Sequence, residues 1–469
     1  MSEGSGSLYS DWKKLYPRYQ SGFFRNLRWS LILLWLGIYY ILPFIRWERP
    51  GNLPNQAVLF DLPERKFYIF DLVVWPQEIF LLALLLIAAA LGLFFITALA
   101  GRVFCGYMCF QTVWTDLFLQ VERWFEGNRK RRIKLDQSPW NLDKVLRKLG
   151  KHVTWLLIGL ATAGVFVFYF ADAPTLLWGF LTGDAPFAAW MTLLFLTLTT
   201  YLMAGFAREQ VCIYMCPYAR FQGAMFDDDT IIVAYHPELG EPRQVNRRKR
   251  LTAREPVGLC IDCRECVTVC PTGIDIRNGQ QYECITCGSC IDACNSVKDK
   301  LHLDNELIRY TSLREMRGEK THWFRFRILA YGTLLLVFLG GIVGYFFQRS
   351  MVELNVVHHR QPTFISLSDG GVQNNFTIRV LNMSGSRQTY RLEVSELPGA
   401  SLKVAAVDAV DQAGHPLLTL EPGEVAPYTV YLKQEARHVQ PGSQEMTFRL
   451  AALDPKGGES LYHSVFMRR

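Results

Sequence analysis

Eight of the 12 cysteines in this 469-residue chain lie between residues 260 and 294. The stretch contains the spacing C-x2-C-x2-C-x3-C twice, at 260–270 and again at 284–294. Three cysteines spaced this closely can present their thiols from a single loop, while the fourth belongs to a different part of the backbone. The repeated spacing therefore predicts two sites, each with four converging sulfur ligands.

The spacing is typical of bacterial proteins that bind two [4Fe-4S] clusters, in which the fourth cysteine of each copy binds the other cluster. Zinc ribbons use paired C-x2-C motifs, and structural disulfides require an oxidising compartment, so both alternatives fit less well. The first predicted cluster is held by Cys260, Cys263, Cys266 and Cys294. The second predicted cluster is held by Cys284, Cys287, Cys290 and Cys270.

Half of the chain is apolar, which is unusual for a soluble enzyme and indicates membrane spans. Five apolar runs are long enough to cross a bilayer. They are Trp29–Ile45, Ile79–Ala100, Val153–Phe170, Ala188–Phe206 and Ile328–Phe347. The polar N-terminus, residues 1–20, lacks the apolar region of a cleavable signal peptide. The chain is therefore predicted to be a polytopic α-helical membrane protein with five transmembrane helices.

The net charge of +7 is unevenly distributed, which favours membrane orientation over nucleic-acid binding. Basic residues precede the first span and occupy the links 101–152 and 207–327, whereas the link 171–187 has two aspartates and no basic residue. The pattern places the N-terminus and the cysteine-rich segment in the cytoplasm and residues after 347 outside it. The basic run Arg129–Arg132 is interpreted as an orientation signal and lipid contact.

The last 119 residues change character and alternate apolar and polar residues in short runs. Examples are 375–381, 390–394 and 428–432, separated by turn residues at 382–385 and 421–423. This pattern predicts an all-β, immunoglobulin-like sandwich without a disulfide. The adjacent His358 and His359 at its start could bind copper or zinc, but such pairs are more often solvated.

The predicted organisation has five parts. They are a cytoplasmic N-terminal segment (1–28), a four-helix membrane domain (29–226), a cytoplasmic ferredoxin-like α+β insert (227–327), a fifth transmembrane helix (328–347) and a periplasmic immunoglobulin-like domain (351–469).

The other four cysteines form two matching motifs, each following an apolar span. Cys105 and Cys109 belong to Cys-Gly-Tyr-Met-Cys, while Cys212 and Cys216 belong to Cys-Ile-Tyr-Met-Cys. If each motif is helical, its two cysteines share one face. Soft sulfur ligands select Cu(I), and Met108 and Met215 could join the same site. Four thiols could instead run dithiol–disulfide chemistry, or simply fill space in the core.

Together these motifs resemble the CcoG/FixG/RdxA family of cytochrome c oxidase accessory proteins, and the resemblance covers nearly the whole chain. It implies a bacterial inner-membrane protein that reduces Cu(II) to Cu(I) for assembly of cbb3-type oxidase. It also implies copper-transport and oxidase-assembly proteins as partners. The wider relatives of the NapH type carry proline after both membrane motifs, whereas here Phe110 follows the first motif.

Three functions remain open at this point. The first is an oxidoreductase in which a cytoplasmic donor supplies electrons through the two clusters to copper near Cys105, Cys109, Cys212 and Cys216. The second is a quinol-linked conduit without copper chemistry, and the third is an assembly scaffold with structural clusters. The donor is a separate molecule because the chain has no flavin or haem motif. The oligomeric state also stays open, a homodimer included.

Overall fold

The computed structural model describes residues 14–50, 53–243, 258–303, 306–439, 442–454 and 457–468. Its contacts divide the chain into two compact units. The first unit contains residues 1–45, 58–69 and 73–342, and the second contains 46–57, 70–72 and 343–469. The basic residues Lys13 and Arg247–Arg250, which support part of the predicted orientation, lie outside the described residues.

The helices of the described chain, in order, are α1 (Phe23–Ile41), α2 (Ile79–Ala100), α3 (Val103–Tyr107), α4 (Phe110–Glu126), α5 (Arg129–Gln137), α6 (Leu142–Phe168), α7 (Ala173–Thr182), α8 (Phe187–Leu202), α9 (Pro217–Met225), α10 (Pro237–Gly240), α11 (Glu265–Thr268), α12 (Ser289–Leu301), α13 (Leu313–Met316) and α14 (Phe326–Gln348). Two π-helical segments, Met203–Ala207 and Val211–Met215, follow α8. Short 3-10 turns lie at Leu42–Phe44, Pro76–Glu78, Ile276–Asn278 and Ala436–His438.

The strands, in order, are β1 (Val58–Asp61), β2 (Lys66–Ile69), β3 (Leu72–Val74), β4 (Ile232–Tyr235), β5 (Ile308–Thr311), β6 (Val352–His358), β7 (Ile365–Ser366), β8 (Val372–Asn382), β9 (Gln388–Ser395), β10 (Ala400–Val404), β11 (Leu417–Leu420), β12 (Val425–Gln434), β13 (Ser443–Ala452) and β14 (Glu459–Met467).

Five helices of the described chain are long and apolar enough to cross a membrane, and they confirm the five predicted spans. They are Phe23–Phe44, Pro76–Ala100, Leu142–Phe168, Phe187–Ala207 and Phe326–Gln348. α6 begins at Leu142, well before the apolar run at Val153. Hydropathy detects the apolar part of a helix, whereas the polar first turns are held by the Asn141 cap and the Asp143–Arg147 pair.

The ferredoxin-like segment combines a small antiparallel sheet with short helices. β4 pairs with β5, with Ile232 opposite Thr311. Isoleucine and tyrosine side chains of this sheet pack with the cysteines of the two motifs in one apolar cluster. The same loop–helix unit occurs twice, because α11 follows the first cysteine loop and α12 follows the second.

Two carboxylates join the ferredoxin-like segment, α1 and α4. Asp292 of α12 accepts hydrogen bonds from the backbone N–H groups of Phe24 and Arg25, at 3.2 and 2.8 Å. It therefore satisfies donors that the first turn of α1 leaves free, and its negative charge suits that helix end. Arg25 also forms a bidentate pair with Asp116 of α4, both contacts at 2.8 Å. Gly22 is required here because a Cβ would collide with Asp292.

The second unit contains the predicted immunoglobulin-like sandwich, and its antiparallel strands confirm that prediction. One sheet has the order β10-β12-β8-β6, with β7 also paired to β8, and the other has the order β11-β9-β13-β14. Alternate residues of β8 and β9 point inward, so that Phe376, Ile378, Tyr390 and Leu392 have no exposed surface. The hydrophobic cluster between the sheets contains no cysteine.

Candidate functional site

The two cysteine sets of the ferredoxin-like segment line two separate small cavities. The first cavity, of roughly 30 Å³, is lined by Cys260, Cys263, Cys266 and Cys294. The second, of roughly 20 Å³, is lined by Cys270, Cys284, Cys287 and Cys290. Cys266 lines both cavities. Each cavity thus receives three cysteines from one copy of the motif and the last cysteine of the other copy. This is the arrangement that the crossed assignment requires, and the ligation itself stays a prediction.

The backbone of the two loops fits an iron–sulfur cluster. Asp262 and Thr286, at equivalent positions of the two motifs, have φ values of 51° and 54°. The next equivalent pair, Arg264 and Gly288, has φ values of 56° and 70°. Left-handed backbone is costly for residues other than glycine, so its repetition indicates loops shaped around a bound group. The N–H of Thr286 also points to the sulfur of Cys284, 3.4 Å away.

In the described part of the chain, no three side chains of His, Cys, Asp or Glu are placed to hold a single metal ion. In a cubane each thiolate binds a different iron, and the sulfur ligands therefore stand farther apart than around one ion. The crossed supply of the fourth cysteine, seen in the lining of both cavities, favours clusters over zinc.

Two buried cations accompany the first cysteine set. Arg277 and Lys298 line the first cavity and are 8% and 3% exposed. Arg277 is held by Asp275 and Asp262, which fix its position. Burial raises the pKa of Cys294 to about 11, and the nearby Lys298 opposes that rise. Positive charge beside a thiolate ligand stabilises the electron-rich state of a bound cluster.

The structure breaks each membrane-boundary motif between its two cysteines. Cys105 lies in α3, but Cys109 is the extended residue that precedes α4. Cys212 lies in the π-helical segment, and Cys216 precedes α9 in the same way. The expectation that each pair shares one face of a continuous helix is therefore wrong. The second cysteine of each motif instead stands immediately before a helix. Burial raises the pKa of Cys109, and the backbone N–H groups of Thr112 and Gln111 oppose that rise.

The four membrane-boundary thiols influence one another. Burial raises the pKa of Cys105 to about 12, and the neighbouring Cys109 adds to the rise. Burial raises the pKa of Cys212 to about 11, with Cys109 and Cys216 adding to it. The two motifs therefore converge on one region. The Cys105 sulfur also contacts the amide oxygen of Gln222, 3.6 Å away on α9.

The first membrane motif packs directly on the loop of the second cluster. A Cβ added to Gly106 would lie 2.6 Å from the carbonyl oxygen of Ile285 and 3.2 Å from the Cα of Cys287. The hydroxyl of Tyr107 donates to the carbonyl of Cys287 at 3.2 Å. The backbone N–H of the buried Arg102 contacts the hydroxyl of Thr286 at 3.2 Å. Cys105 therefore directly precedes a residue, Gly106, that packs on the backbone of the predicted cluster ligand Cys287.

Gly106→Ala is expected to lower the free energy of unfolding by about 1–3 kcal/mol, because the added methyl group would collide with the backbone of Ile285 and Cys287. It should also speed iron release from the second cluster to a chelator. Gly223→Ala is the matched control, since a Cβ on this α9 glycine meets nothing within 4 Å. Melting curves and timed iron release measure both variants. Equal behaviour of the two would contradict the close packing.

The other predicted site residues are two methionines and two adjacent histidines. Met108 and Met215 are 41% and 56% exposed, so their role as copper ligands stays a prediction. His358 contacts Asn374 and His359 contacts Thr377, each at 2.8 Å, and the two rings thus have different partners. Both histidines belong to the second unit.

Sequence reasoning missed Arg102, Gly106, Tyr107 and Gln222 as parts of the site. One signal was present, since the two matching motifs differ at the residue after the first cysteine, which is Gly106 in one and Ile213 in the other. A glycine at that single position indicates that another backbone approaches closely.

The described geometry agrees with three family matches. Residues 207–313 match a 4Fe-4S dicluster domain and residues 82–132 match a 4Fe-4S binding domain. Residues 342–469 match the IG-like fold at the C-terminal of FixG, described as a putative oxidoreductase. The fold and these matches together define an integral membrane iron–sulfur protein of the electron-transfer oxidoreductase class.

Similar proteins extend over the whole chain. Nitrogen fixation protein FixG of Rhizobium meliloti is 42% identical over 98% of this chain and 94% of its own length. RdxB of Cereibacter sphaeroides is 43% identical over 98% and 97%, and RdxA of the same organism is 46% identical over 84% and 85%. The chain belongs to the FixG/RdxA family, which confirms the resemblance inferred from its motifs.

Proposed function

We propose that the protein is a cupric reductase that delivers electrons from a cytoplasmic donor, by way of two [4Fe-4S] clusters, to Cu(II) at the membrane-boundary thiols. The observation that carries this proposal is the packing of Gly106 on the backbone of Cys287. It places Cys105 beside the second cysteine set, so that an electron has little protein to cross. Each cluster supplies one electron at a time.

The thiols provide the chemistry that copper reduction needs. Soft sulfur favours Cu(I) over Cu(II), which makes bound copper easier to reduce. Because burial raises the pKa of Cys105 and Cys212, copper must displace protons to bind there. One electron converts Cu(II) to Cu(I), and the thiolates stay unchanged. The alternative dithiol–disulfide cycle would take two electrons and two protons for each disulfide reduced.

The biological role is proposed from the family. Cu(I) made on the cytoplasmic side would serve assembly of cbb3-type cytochrome c oxidase, with copper-transport and assembly proteins as partners. The proposed orientation rests on the basic links around the spans, which favour a cytoplasmic ferredoxin-like segment and a sandwich on the outer side. The described part of those links includes Arg129, Lys130, Arg131 and Arg132.

A single-turnover experiment tests the function. The purified protein is reduced with dithionite, freed of excess reductant, and mixed with Cu(II) and a Cu(I)-selective chelator. About two Cu(I) per chain are expected, one for each one-electron cluster. In membrane vesicles with an impermeant chelator, inverted vesicles should report Cu(I) and right-side-out vesicles should not.

The other outcomes separate the alternatives. A reduced protein that passes its electrons to a quinone analogue but not to Cu(II) would be a conduit. A protein that transfers electrons to neither acceptor, although its clusters are intact, would be a scaffold. Cu(I) produced only by right-side-out vesicles would reverse the proposed orientation.

A further inference from the structure

The first unit contains a large cavity that lies between the two cysteine systems. Its volume is about 630 Å³, within the range of sites for small molecules. Cys212 lines one side, and Pro271, Thr272 and Ile285 from the cysteine loops line another. The remaining walls come from residues 17–20, from α1 and α4, and from the start of α5. None of the functions discussed above uses this space.

The cavity is strongly basic. Nine arginine and lysine side chains line it, against three carboxylates. Two of the carboxylates are already engaged, because Asp116 is bound by Arg25 and Arg28 and Glu265 is bound by Arg18. For the third, Glu209, burial raises the pKa and disfavours its charged form. The lining therefore carries more positive charge than its own carboxylates can balance.

Four of these cations have no ion-pair partner among the described residues: Arg123, Arg129, Lys130 and Arg131. Three of them occupy the first turn of α5, which contains no acidic residue. Positive side chains at a helix N-terminus oppose the helix dipole and destabilise that end. The N-cap residue Asn128 makes no side-chain capping bond that would offset this cost. A bound anion would remove both defects, because it accepts from the free N–H groups and neutralises the cations.

Two buried arginines add to this positive charge. Arg132 and Arg208 line the cavity and are 4% and 7% exposed. Both bind the same carboxylate, Glu122, so that one negative charge is shared by two guanidinium groups. An anion in the cavity would offset the positive charge that remains.

We propose that this cavity binds a phosphate-bearing molecule of about mononucleotide size. A phosphate has several acceptor oxygens and close to two negative charges, which match the guanidinium groups and the helix end better than one carboxylate would. Its phosphate contacts Arg129, Lys130 and Arg131, and its body extends past Tyr19 toward Cys212 and Ile285. A ligand held there touches both the membrane-boundary motif and the loop of the second cluster.

Binding is tested on the full-length protein, with its clusters, in phosphatidylcholine nanodiscs. Flavin mononucleotide is titrated by fluorescence, and riboflavin serves as the matched compound without phosphate. Riboflavin is expected to bind at least about tenfold more weakly, because it lacks the charged acceptor. Lys130→Glu and Arg131→Glu should each weaken flavin mononucleotide binding by about tenfold or more. Lys134→Glu is the control, since this residue is exposed on the same helix and outside the cavity lining.

Two further arms identify the source of the phosphate. If the natural ligand is a soluble phosphate ester, ADP competes with flavin mononucleotide, and phosphatidylglycerol in the nanodisc has little effect. If a lipid headgroup supplies the phosphate, phosphatidylglycerol weakens binding of the probe in the parent protein but not in Lys130→Glu. Equal binding of the two flavins, equal effects of the 130 and 134 variants, or no binding at millimolar probe would overturn the proposal. Iron content confirms that each variant is folded.

Discussion

The double variant Cys105→Ser with Cys109→Ser is expected to keep both iron–sulfur clusters and to lose Cu(II) reduction by at least about 100-fold. Substitutions in the outer shell of a metal site already cost 10–100-fold, and this change replaces proposed ligands themselves. Serine has nearly the size of cysteine but offers a harder oxygen, which no longer favours Cu(I). The Cys212→Ser with Cys216→Ser variant should behave alike, because the two motifs converge on one region.

The measurement is the single-turnover yield of Cu(I), together with iron analysis of each variant. Phe110→Leu is the control for a change beside the thiols, since this exposed side chain directly follows Cys109 and carries no metal-binding atom. If both double variants give the same yield of Cu(I) as the parent protein, the four cysteines serve only in packing. A loss of about four iron atoms per chain would instead assign them to a further cluster. The match of residues 82–132 to a 4Fe-4S binding domain makes that count worth recording.

Cys270→Ser is expected to remove one cluster and spare the other. Cys270 lines the same cavity as Cys284, although it lies in the other copy of the motif. Iron should fall from about eight to about four atoms per chain, since each cubane holds four. Low-temperature electron paramagnetic resonance should show one remaining signal.

Comparison of single variants identifies which cysteines act together without any assignment of the spectra. Cys270→Ser should match Cys284→Ser, and Cys294→Ser should match Cys260→Ser. The first of these pairs should lose the resonance signal of one cluster, and the second pair should lose the signal of the other cluster. If Cys270→Ser matches Cys260→Ser, each copy of the motif holds its own cluster and the crossed arrangement is wrong.

The local order of the chain determined much of this architecture. The five apolar runs predicted the five membrane helices, because the length of a run of apolar residues is enough to identify a membrane span. Alternation in 375–381, 390–394 and 428–432 predicted strands β8, β9 and β12, because a half-buried strand has period two. The two cysteine spacings predicted which thiols would face each other. In each case neighbouring residues carry the information.

Only the tertiary structure decided how these parts form one site. The break between Cys105 and Cys109 could not be read from their four-residue separation, because a continuous helix fits the same letters. The contact of Gly106 with Cys287 joins residues 181 positions apart, and the basic cavity draws its lining from residues 17 to 289. Such contacts arise when separately specified elements pack, and no local pattern records which faces meet. The cluster-binding motifs could therefore be predicted from the sequence. The contacts that bring the second cysteine set next to the membrane-boundary thiols could not.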